Sequence, residues 1–413
     1  MLDGEKTGRF IAERRRARGW TQQQLAARLN VSFQAVSKWE NGSAYPNVEL
    51  LRDLAAALGT SADAILRGSE EGLSYSEAGV DIAYTDAIKR EMSGHLKTDD
   101  PRVLNGLGPF ASLYDVDFPE IKHPVLVLKS EEPGSKQKLA MEYGYTESIC
   151  HDMINHLVND VIVMGARPLA VLDTIVCGNA EKDTVSALVK GIADACRANE
   201  CALVGGETSI QPKVVEKGVY VLTASLAGIV ERDQIIDGSA IRAGDRVLAL
   251  ASNGLHTNGY SLVRLLMERD PSVKLKRVAG ETFIEQIMKP HTPYYRAVKG
   301  LFGTGMLRGM AHITGGGIEG NLCRIIPDGL TAEISLDRLR VPEVFRFIRR
   351  EGNIPDGEML STFNCGAGMI LVVPPECVQA VTAHAGRFCE CYEIGEILPG
   401  EAKISFTGRV NWN

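Results

Sequence analysis

Carboxylates spread over three segments in the middle of the chain have the side-chain type that a site for metal-bound phosphate requires. Asp152 and Asp160 lie in one segment, Asp173 lies in the next, and Glu207 follows two glycines at the end of an apolar run. Carboxylate oxygens suit Mg²⁺, which typically takes one or two protein carboxylates together with phosphate oxygens and water. Taken singly, each acidic residue could equally be a helix cap or a solvated charge.

Three consecutive glycines offer a second kind of phosphate contact. Gly315, Gly316 and Gly317 follow the string His-Ile-Thr and precede a stretch that predicts a helix. Successive backbone N–H groups at such a position can bind a phosphate. Tight turns also use glycines because they tolerate left-handed backbone. The run is therefore only a candidate until other segments support it.

The apolar pattern predicts the elements that position these residues. Apolar runs at residues 124–128, 202–206 and 219–230 predict strands that alternate with helical stretches. A second domain is predicted to start just before the string RVLALAS. A chain of 413 residues is expected to form two or three domains. We predict an α/β or α+β body divided into residues 75–238 and 239–413.

The first 67 residues predict a different fold, a bundle of five short helices. Thr21 and Gln24 form a capping box that starts one helix, Ser32 is placed to cap the next, and Asn41 with Gly42 ends it. Helical spacing of apolar residues predicts the core. The core candidates are Phe10, Leu25, Leu29, Val36, Leu51, Leu54 and Leu58.

The string WTQQQLAARLNVSFQAVSKWENG, residues 20–42, resembles the lambda-repressor/Cro type of helix-turn-helix domain. The resemblance implies that residues 8–67 bind double-stranded DNA and that residues 68–74 are a linker. It also implies major-groove contacts from one helix and phosphate contacts from another. The implied base-reading residues are Gln34, Ser37 and Lys38, and the implied phosphate contact is Gln22.

Charge is distributed in agreement with this division. Residues 1–67 hold ten Lys/Arg against seven Asp/Glu, so that the chain's net charge of −7 leaves −7 − 3 = −10 for the remainder. Only the N-terminal part is electrostatically suited to nucleic acid. The run Arg14-Arg15-Arg16 is either a DNA contact or a solvated cluster.

From residue 75 to about residue 404 the chain resembles the phosphoribosylformylglycinamidine cyclo-ligase family almost without gaps. Eight uncommon strings occur in the family's order. They are YSEAGVD (75–81), NGLGPF (105–110), VNDVIVMGARPLAVLD (158–173), CALVGGET (201–208), IIDGS (235–239), NGLHTNGYSLVR (253–264), AHITGGGIEGNL (311–322) and TFNCGAGM (362–369).

The resemblance implies two α/β domains, a homodimer formed by pairing N-terminal sheets, and ATP in a groove near the dimer interface. In the family's reaction an amide oxygen of formylglycinamidine ribonucleotide attacks the γ-phosphate of ATP, and a nitrogen then displaces phosphate to close the imidazole ring. Such a site holds Mg²⁺ on the triphosphate. Matching positions imply the roles of individual residues. The implied catalytic residues are Lys136, Asp152, Asp160 and Glu207, and the implied metal ligands are Glu131, Asp152 and Asp160. The implied ATP-binding residues are Glu131, Lys136, Asn159, Asp160 and Asp173, and the implied substrate-binding residues are His256, Thr257, Asn258, Gly315, Gly316 and Gly317.

Three loops depart from the family's pattern. Glu132 stands where relatives carry glycine, which adds negative charge where triphosphate approaches. Glu216 occupies a histidine position, and Val221 occupies an aspartate position in the strand that follows. Residues 108–111 replace a more glycine-rich loop.

These departures leave two functions open: a working cyclo-ligase that also binds DNA, and a transcriptional regulator whose body binds a nucleotide or purine intermediate without turnover. Other members of the wider superfamily, such as selenophosphate synthetase, thiamine-monophosphate kinase and the hydrogenase maturation protein, are disfavoured by NGLHTNGYSLVR and TFNCGAGM. The nine scattered cysteines predict reduced, mostly buried thiols. Because no apolar stretch approaches about 18 residues, we expect a soluble cytoplasmic protein.

Overall fold

The computed structural model describes residues 3–70, 84, 86–88, 94–95, 98–105 and 110–412. Contacts divide the chain into two compact units, Met1–Ile82 and Ala83–Asn413. Residues 71–74 of the predicted linker, the string at 75–81 and residues 106–109, which include the first half of the 108–111 loop, lie outside the described residues. The domain boundaries proposed from the sequence therefore stay predictions.

The first unit is the predicted five-helix bundle. Its helices are α1 (Gly4–Ala17), α2 (Gln22–Arg28), α3 (Phe33–Glu40), α4 (Val48–Leu58) and α5 (Ala62–Arg67). The capping box of Thr21 and Gln24 is confirmed, and Ser32 caps α3 by accepting the N–H of Ala35. All seven apolar residues predicted for the core are buried. The caps and the helical spacing therefore predicted the helices and the core of this unit correctly.

One ion pair inside the bundle corrects the interpretation of the arginine run. Arg15 is buried, and its guanidinium holds both carboxylate oxygens of Glu40, with Nε to Oε1 at 2.6 Å and Nη2 to Oε2 at 2.9 Å. Gln22 donates to the same Oε2 at 2.8 Å. Arg15 therefore ties α1 to the end of α3 and is not available to DNA.

The described residues of the second unit form two large sheets and a small two-stranded one. The first has the order β1-β4-β2-β3, in which only β2 and β3 are parallel, and helices α7 and α8 pack on one of its faces. The elements of this half are β1 (Pro124–Glu131), α6 (Lys136–Tyr143), α7 (Thr146–Ile162), β2 (Arg167–Cys177), α8 (Lys182–Ala198), β3 (Ala202–Ile210) and β4 (Tyr220–Glu231). The strands predicted at 124–128, 202–206 and 219–230 are confirmed.

The second sheet has the order β12-β9-β11-β5-β10-β8 and is antiparallel except for the pair β9 and β12. Every residue of β10 is buried. The strands of this sheet are β5 (Arg246–Ala251), β8 (Gly309–His312), β9 (Leu330–Ser335), β10 (Ala367–Val373), β11 (Cys391–Pro399) and β12 (Ile404–Thr407), and β6 (Arg277–Val278) pairs separately with β7 (Glu281–Thr282). The helices are α9 (Tyr260–Arg269), α10 (Phe283–Ile287), α11 (Tyr295–Val298), α12 (Gly317–Leu322), α13 (Glu343–Gly352), α14 (Asp356–Thr362) and α15 (Val378–Ala385).

One hydrophobic core runs through both sheets and their helices. All nine cysteines lie in the described part of the chain, each is a free thiol, and six are buried. No described helix has both the length and the apolar character needed to cross a membrane.

Candidate functional site

A buried group of histidines lies where the two sheets of the second unit meet. His156 comes from α7, His312 from the end of β8, and His256 and His291 from loops; we call these four residues the histidine cluster. The rings of His256 and His291 stack with centroids 3.9 Å apart, and the other ring contacts span 4.9 to 5.3 Å. Burial is the main cause that lowers the pKa of His256 and of His291 well below the usual value.

Next to the histidine cluster, carboxylates from two elements meet around one lysine. Asp160 Oδ2 and Glu131 Oε2 each lie 3.0 Å from Nζ of Lys129. The other oxygen of Asp160 lies 2.7 Å from Nδ1 of His312, and since a carboxylate only accepts, this ring nitrogen donates. Burial alone would raise the pKa of Asp160, but the hydrogen bond from His312 and the neighbouring cationic groups outweigh it and hold that pKa far below its usual value.

The predicted phosphate lysine has a different position from the one expected. Lys136 is fully buried; its ammonium forms an ion pair with Asp152 Oδ2 at 2.7 Å and donates to the backbone carbonyls of Lys289 at 2.7 Å and His256 at 3.2 Å. Burial is the largest influence on both partners: it lowers the pKa of Lys136 and raises the pKa of Asp152 to about 6. Because these partners enclose it, Lys136 is not available to a phosphate, and Asp152 does not reach the Glu131 and Asp160 carboxylates.

One polar face of α7 explains the positions of Asp152 and Asn159. Ser148, Asp152, Asn155 and Asn159 are spaced so that they share one helix face. All four bind the backbone of residues 288–294. Ser148 donates to the carbonyl of Met288, Asp152 accepts from the N–H of His291 at 2.8 Å, and Asn155 donates to the carbonyl of His291 at 2.6 Å. Asn159 donates to the carbonyl of Thr292 at 2.9 Å and accepts from the N–H of Tyr294 at 3.1 Å. The roles implied for Asp152 as a metal ligand and Asn159 as an ATP contact are not supported, because both side chains hold this loop.

Glu207 is exposed and lines a separate cavity of about 850 Å³ on the face of the first sheet opposite its helices. Asp173 and Lys129 border this cavity through their strands, but the alternation of β2 and β1 places both side chains on the helix-covered face. Asp173 is buried there, and burial raises its pKa to about 7. The open sheet face that the cavity occupies exposes Leu128 and Leu172.

The substrate-binding candidates lie together. Thr257 Oγ is 2.9 Å from Nδ1 of His156, and His256 Nε2 is 3.1 Å from the hydroxyl of Thr292. A Cβ on Gly315 would meet Oδ1 of Asn258 at 3.4 Å, so the glycine run borders the 256–258 loop. The glycine run itself packs tightly: Gly316 and Gly317 have positive φ, and a Cβ on Gly317 would lie 1.8 Å from the carbonyl oxygen of Leu360.

The DNA-reading candidates have the expected exposure. Gln34 and Lys38 are exposed on α3, and Ser37 is half-buried. Gln22 is partly occupied by its hydrogen bond to Glu40. The four residues therefore remain predicted contacts, with Gln22 sharing its amide between a structural bond and any phosphate.

Lys129, His156 and His291 are members of the site that sequence reasoning missed. A local signal exists for two of them: Lys129 is two positions before Glu131 in β1, so the two side chains share one face, and His156 precedes Asp160 by one helical turn. His291 has no such signal because its neighbours come from distant segments. Of the residues that depart from the family's pattern, Glu132 and Glu216 are exposed and Val221 is half-buried in β4.

Comparison with known proteins covers both units. A helix-turn-helix family model matches residues 11–65, and the models for the N-terminal and C-terminal domains of AIR synthase related proteins match residues 126–230 and 242–406. A phosphoribosylformylglycinamidine cyclo-ligase of Methylobacillus flagellatus is 40% identical over 334 residues, which is 80% of this chain and 96% of that protein.

Two solved structures share the fold. A thiamine-monophosphate kinase from Stenotrophomonas maltophilia K279a has a TM-score of 0.55 at 17% identity and covers 80% of this chain and 98% of its own. The hydrogenase maturation protein HypE in complex with ATP has a TM-score of 0.55 at 18% identity, with 79% of this chain and 91% of that chain covered. At these identities the likeness shows the fold alone.

Proposed function

Because this chain belongs to the phosphoribosylformylglycinamidine cyclo-ligase family and carries a helix-turn-helix domain ahead of that body, we propose that it is an ATP-dependent cyclo-ligase that also binds DNA. One observation carries the proposal for the body. The loops with His256 and Gly315, which match the family from distant parts of the chain, come together beside the carboxylates of Glu131 and Asp160.

The donor set fits Mg²⁺ and ATP. Glu131 and Asp160 already share a cation, the ammonium of Lys129, and hard carboxylate oxygens are the ligands that Mg²⁺ prefers. We assign these two residues to the metal, while Asp173 as an ATP contact and Glu207 as a catalytic residue stay predictions. Bound Mg²⁺ and ATP supply the phosphoryl group that activates the substrate's amide oxygen.

The chain's own residues position and shield the reacting groups. Lys129 neutralises charge between Glu131 and Asp160, and the glycine run offers backbone N–H groups to the substrate's phosphate. His256 is a polar contact. Lys136 and Asp152 act indirectly, by holding the backbone of the loops that carry His256 and His291.

The direct test incubates the full chain with ATP, Mg²⁺ and formylglycinamidine ribonucleotide, and follows ADP and aminoimidazole ribonucleotide. We expect one ADP for each imidazole product. Nucleotide binding without product would reject the cyclo-ligase and favour a regulator that senses its ligand. Reactions that lack one component give the background.

A homodimer is part of the proposal. The exposed apolar side chains Leu126, Leu128 and Leu172 on the open face of the first sheet support pairing of two such sheets. A dimer also supplies two reading helices in one particle, which helix-turn-helix proteins usually need. We expect Leu128→Glu to give a monomer in light scattering, because it places a charge in the interface. Leu275→Glu, an exposed leucine outside the sheet, is the control, and an unchanged dimer of the Leu128 variant would contradict this interface.

The DNA proposal predicts a change in sequence preference from one exposed side chain. After selection of bound duplexes from a random pool, Gln34→Ala is expected to lose about 1–3 kcal/mol of discrimination at one base pair, the usual contribution of a bidentate base contact. Fluorescence anisotropy with matched and mismatched duplexes measures the loss. Gln23→Ala, an exposed glutamine on α2, should leave discrimination unchanged. Equal discrimination by the Gln34 variant would remove this residue from the reading surface.

A further inference from the structure

The histidine cluster offers more ligand atoms than the proposed reaction uses. One ring nitrogen from each of His256, His291 and His312 lies within 4.8 Å of the others, and none of these residues is more than 6% exposed. We propose that these three imidazoles bind one zinc ion. The proposal is independent of the cyclo-ligase activity, because it concerns the free protein without nucleotide or substrate.

The ligand type selects the metal. Three imidazoles suit Zn²⁺ and related transition ions, whereas Mg²⁺ prefers the oxygen ligands of Glu131 and Asp160. Zinc binds imidazole at about 2.0–2.1 Å, so two ligands at a tetrahedral site stand about 3.3 Å apart. Nε2 of His291 and Nε2 of His312 are 2.8 Å apart, and a shift of about half an ångström brings them to that separation. The stacked rings of His256 and His291 must also tilt, so that both lone pairs point to the same ion.

His312 is oriented as metal-binding histidines usually are. Its Nδ1 donates to Asp160 at 2.7 Å, which leaves the lone pair on Nε2, and Nε2 is the atom that faces His291. A carboxylate behind a histidine fixes the ring and increases its strength as a ligand. Asp160 is therefore a positioning residue for this site.

One buried atom of the cluster points independently to a ligand. Nδ1 of His256 has no hydrogen-bond partner among the described residues, although this residue is almost fully enclosed. Such orphaned polar atoms are rare, and an ion or water is one of their few explanations. A cavity of about 490 Å³, lined also by the exposed Asn253, lies against His291.

The test uses tag-free full-length protein, stripped with a chelator and dialysed against Zn²⁺ or Co²⁺. We expect one more bound zinc ion in the wild type than in His291→Gln, and the intense visible absorption of tetrahedral Co²⁺ without a thiolate charge-transfer band. In competition with a chromophoric chelator, Asp160→Asn should bind about 10- to 100-fold more weakly, the usual effect of losing the carboxylate behind a histidine.

Matched variants separate this site from other metal ligands. The exposed His123→Gln should bind like the wild type, and so should His156→Gln, because His156 is outside the proposed set. All variants keep the nine cysteines, so the difference between variants reports the histidines. Equal zinc content in His291→Gln, loss of zinc only in His156→Gln, or weak octahedral Co²⁺ absorption by the wild type would each overturn the proposal. If His291→Gln does not fold, the wild-type Co²⁺ spectrum still decides.

Discussion

Lys136→Met is expected to lower the free energy of unfolding of the body by about 3–5 kcal/mol, the usual cost of removing one partner of a buried ion pair. The substitution leaves the carboxylate of Asp152 buried without its cation, and it frees two backbone carbonyls, those of His256 and Lys289. Urea unfolding followed by circular dichroism measures the change, with the transition of the body analysed separately from that of the helical unit.

Two further variants define this prediction. Lys136→Met with Asp152→Leu should recover much of the loss, because an apolar pair of similar volume removes the stranded charge. Lys190→Met removes an exposed lysine paired with Asp194 at 2.7 Å and should leave the free energy of unfolding close to that of the wild type, because solvent screens an exposed ion pair. If the single Lys136 variant were as stable as the Lys190 variant, the buried pair would not hold the loops as we describe.

Asp160→Asn is expected to reduce cyclo-ligase turnover by about 100-fold or more, the size typical of removing one preorganised electrostatic group. The amide keeps the shape of the side chain but removes the charge that Lys129 and His312 share. ADP and imidazole product are measured at saturating ATP and over a range of Mg²⁺ concentrations. A metal role for Asp160 also predicts that the variant needs more Mg²⁺ for half-maximal turnover.

The matched control for this variant is Asp194→Asn, on the outer side of α8. It removes the same charge and should keep wild-type turnover and Mg²⁺ dependence. Wild-type kinetics of Asp160→Asn would remove Asp160 from the metal site and leave Glu131 unsupported there.

Sequence reasoning predicted the helical unit in most detail because its determinants are local. Thr21 and Ser32 cap helices within three positions of themselves, and the spacing of the seven apolar residues along each helix indicates which face is buried. The strands of the body were also predictable, since uninterrupted apolar runs mark strands buried in a sheet. The resemblance to the cyclo-ligases supplied what no local pattern could, namely which distant loops belong together.

Sequence reasoning could not predict which of the polar side chains are buried. Asp152 and Asp160 occur in one helix, yet one face of α7 holds the 288–294 backbone and the neighbouring face points to the site. Matching positions identify both residues without separating these faces. Lys136 was placed at a phosphate for the same reason, and His291 was missed because Asp152 and Asn155, which hold its backbone, lie more than a hundred residues away.

The ion pair at the end of α3 also affects how this chain can change its target. Because Arg15 and Gln22 clamp Glu40 from two other helices, the reading helix is rigid before it meets a duplex. Binding to DNA then costs little conformational entropy. We therefore expect that exchange of Gln34 or Lys38 alters recognition without changing the supporting contacts, so that single replacements are enough to change the DNA target.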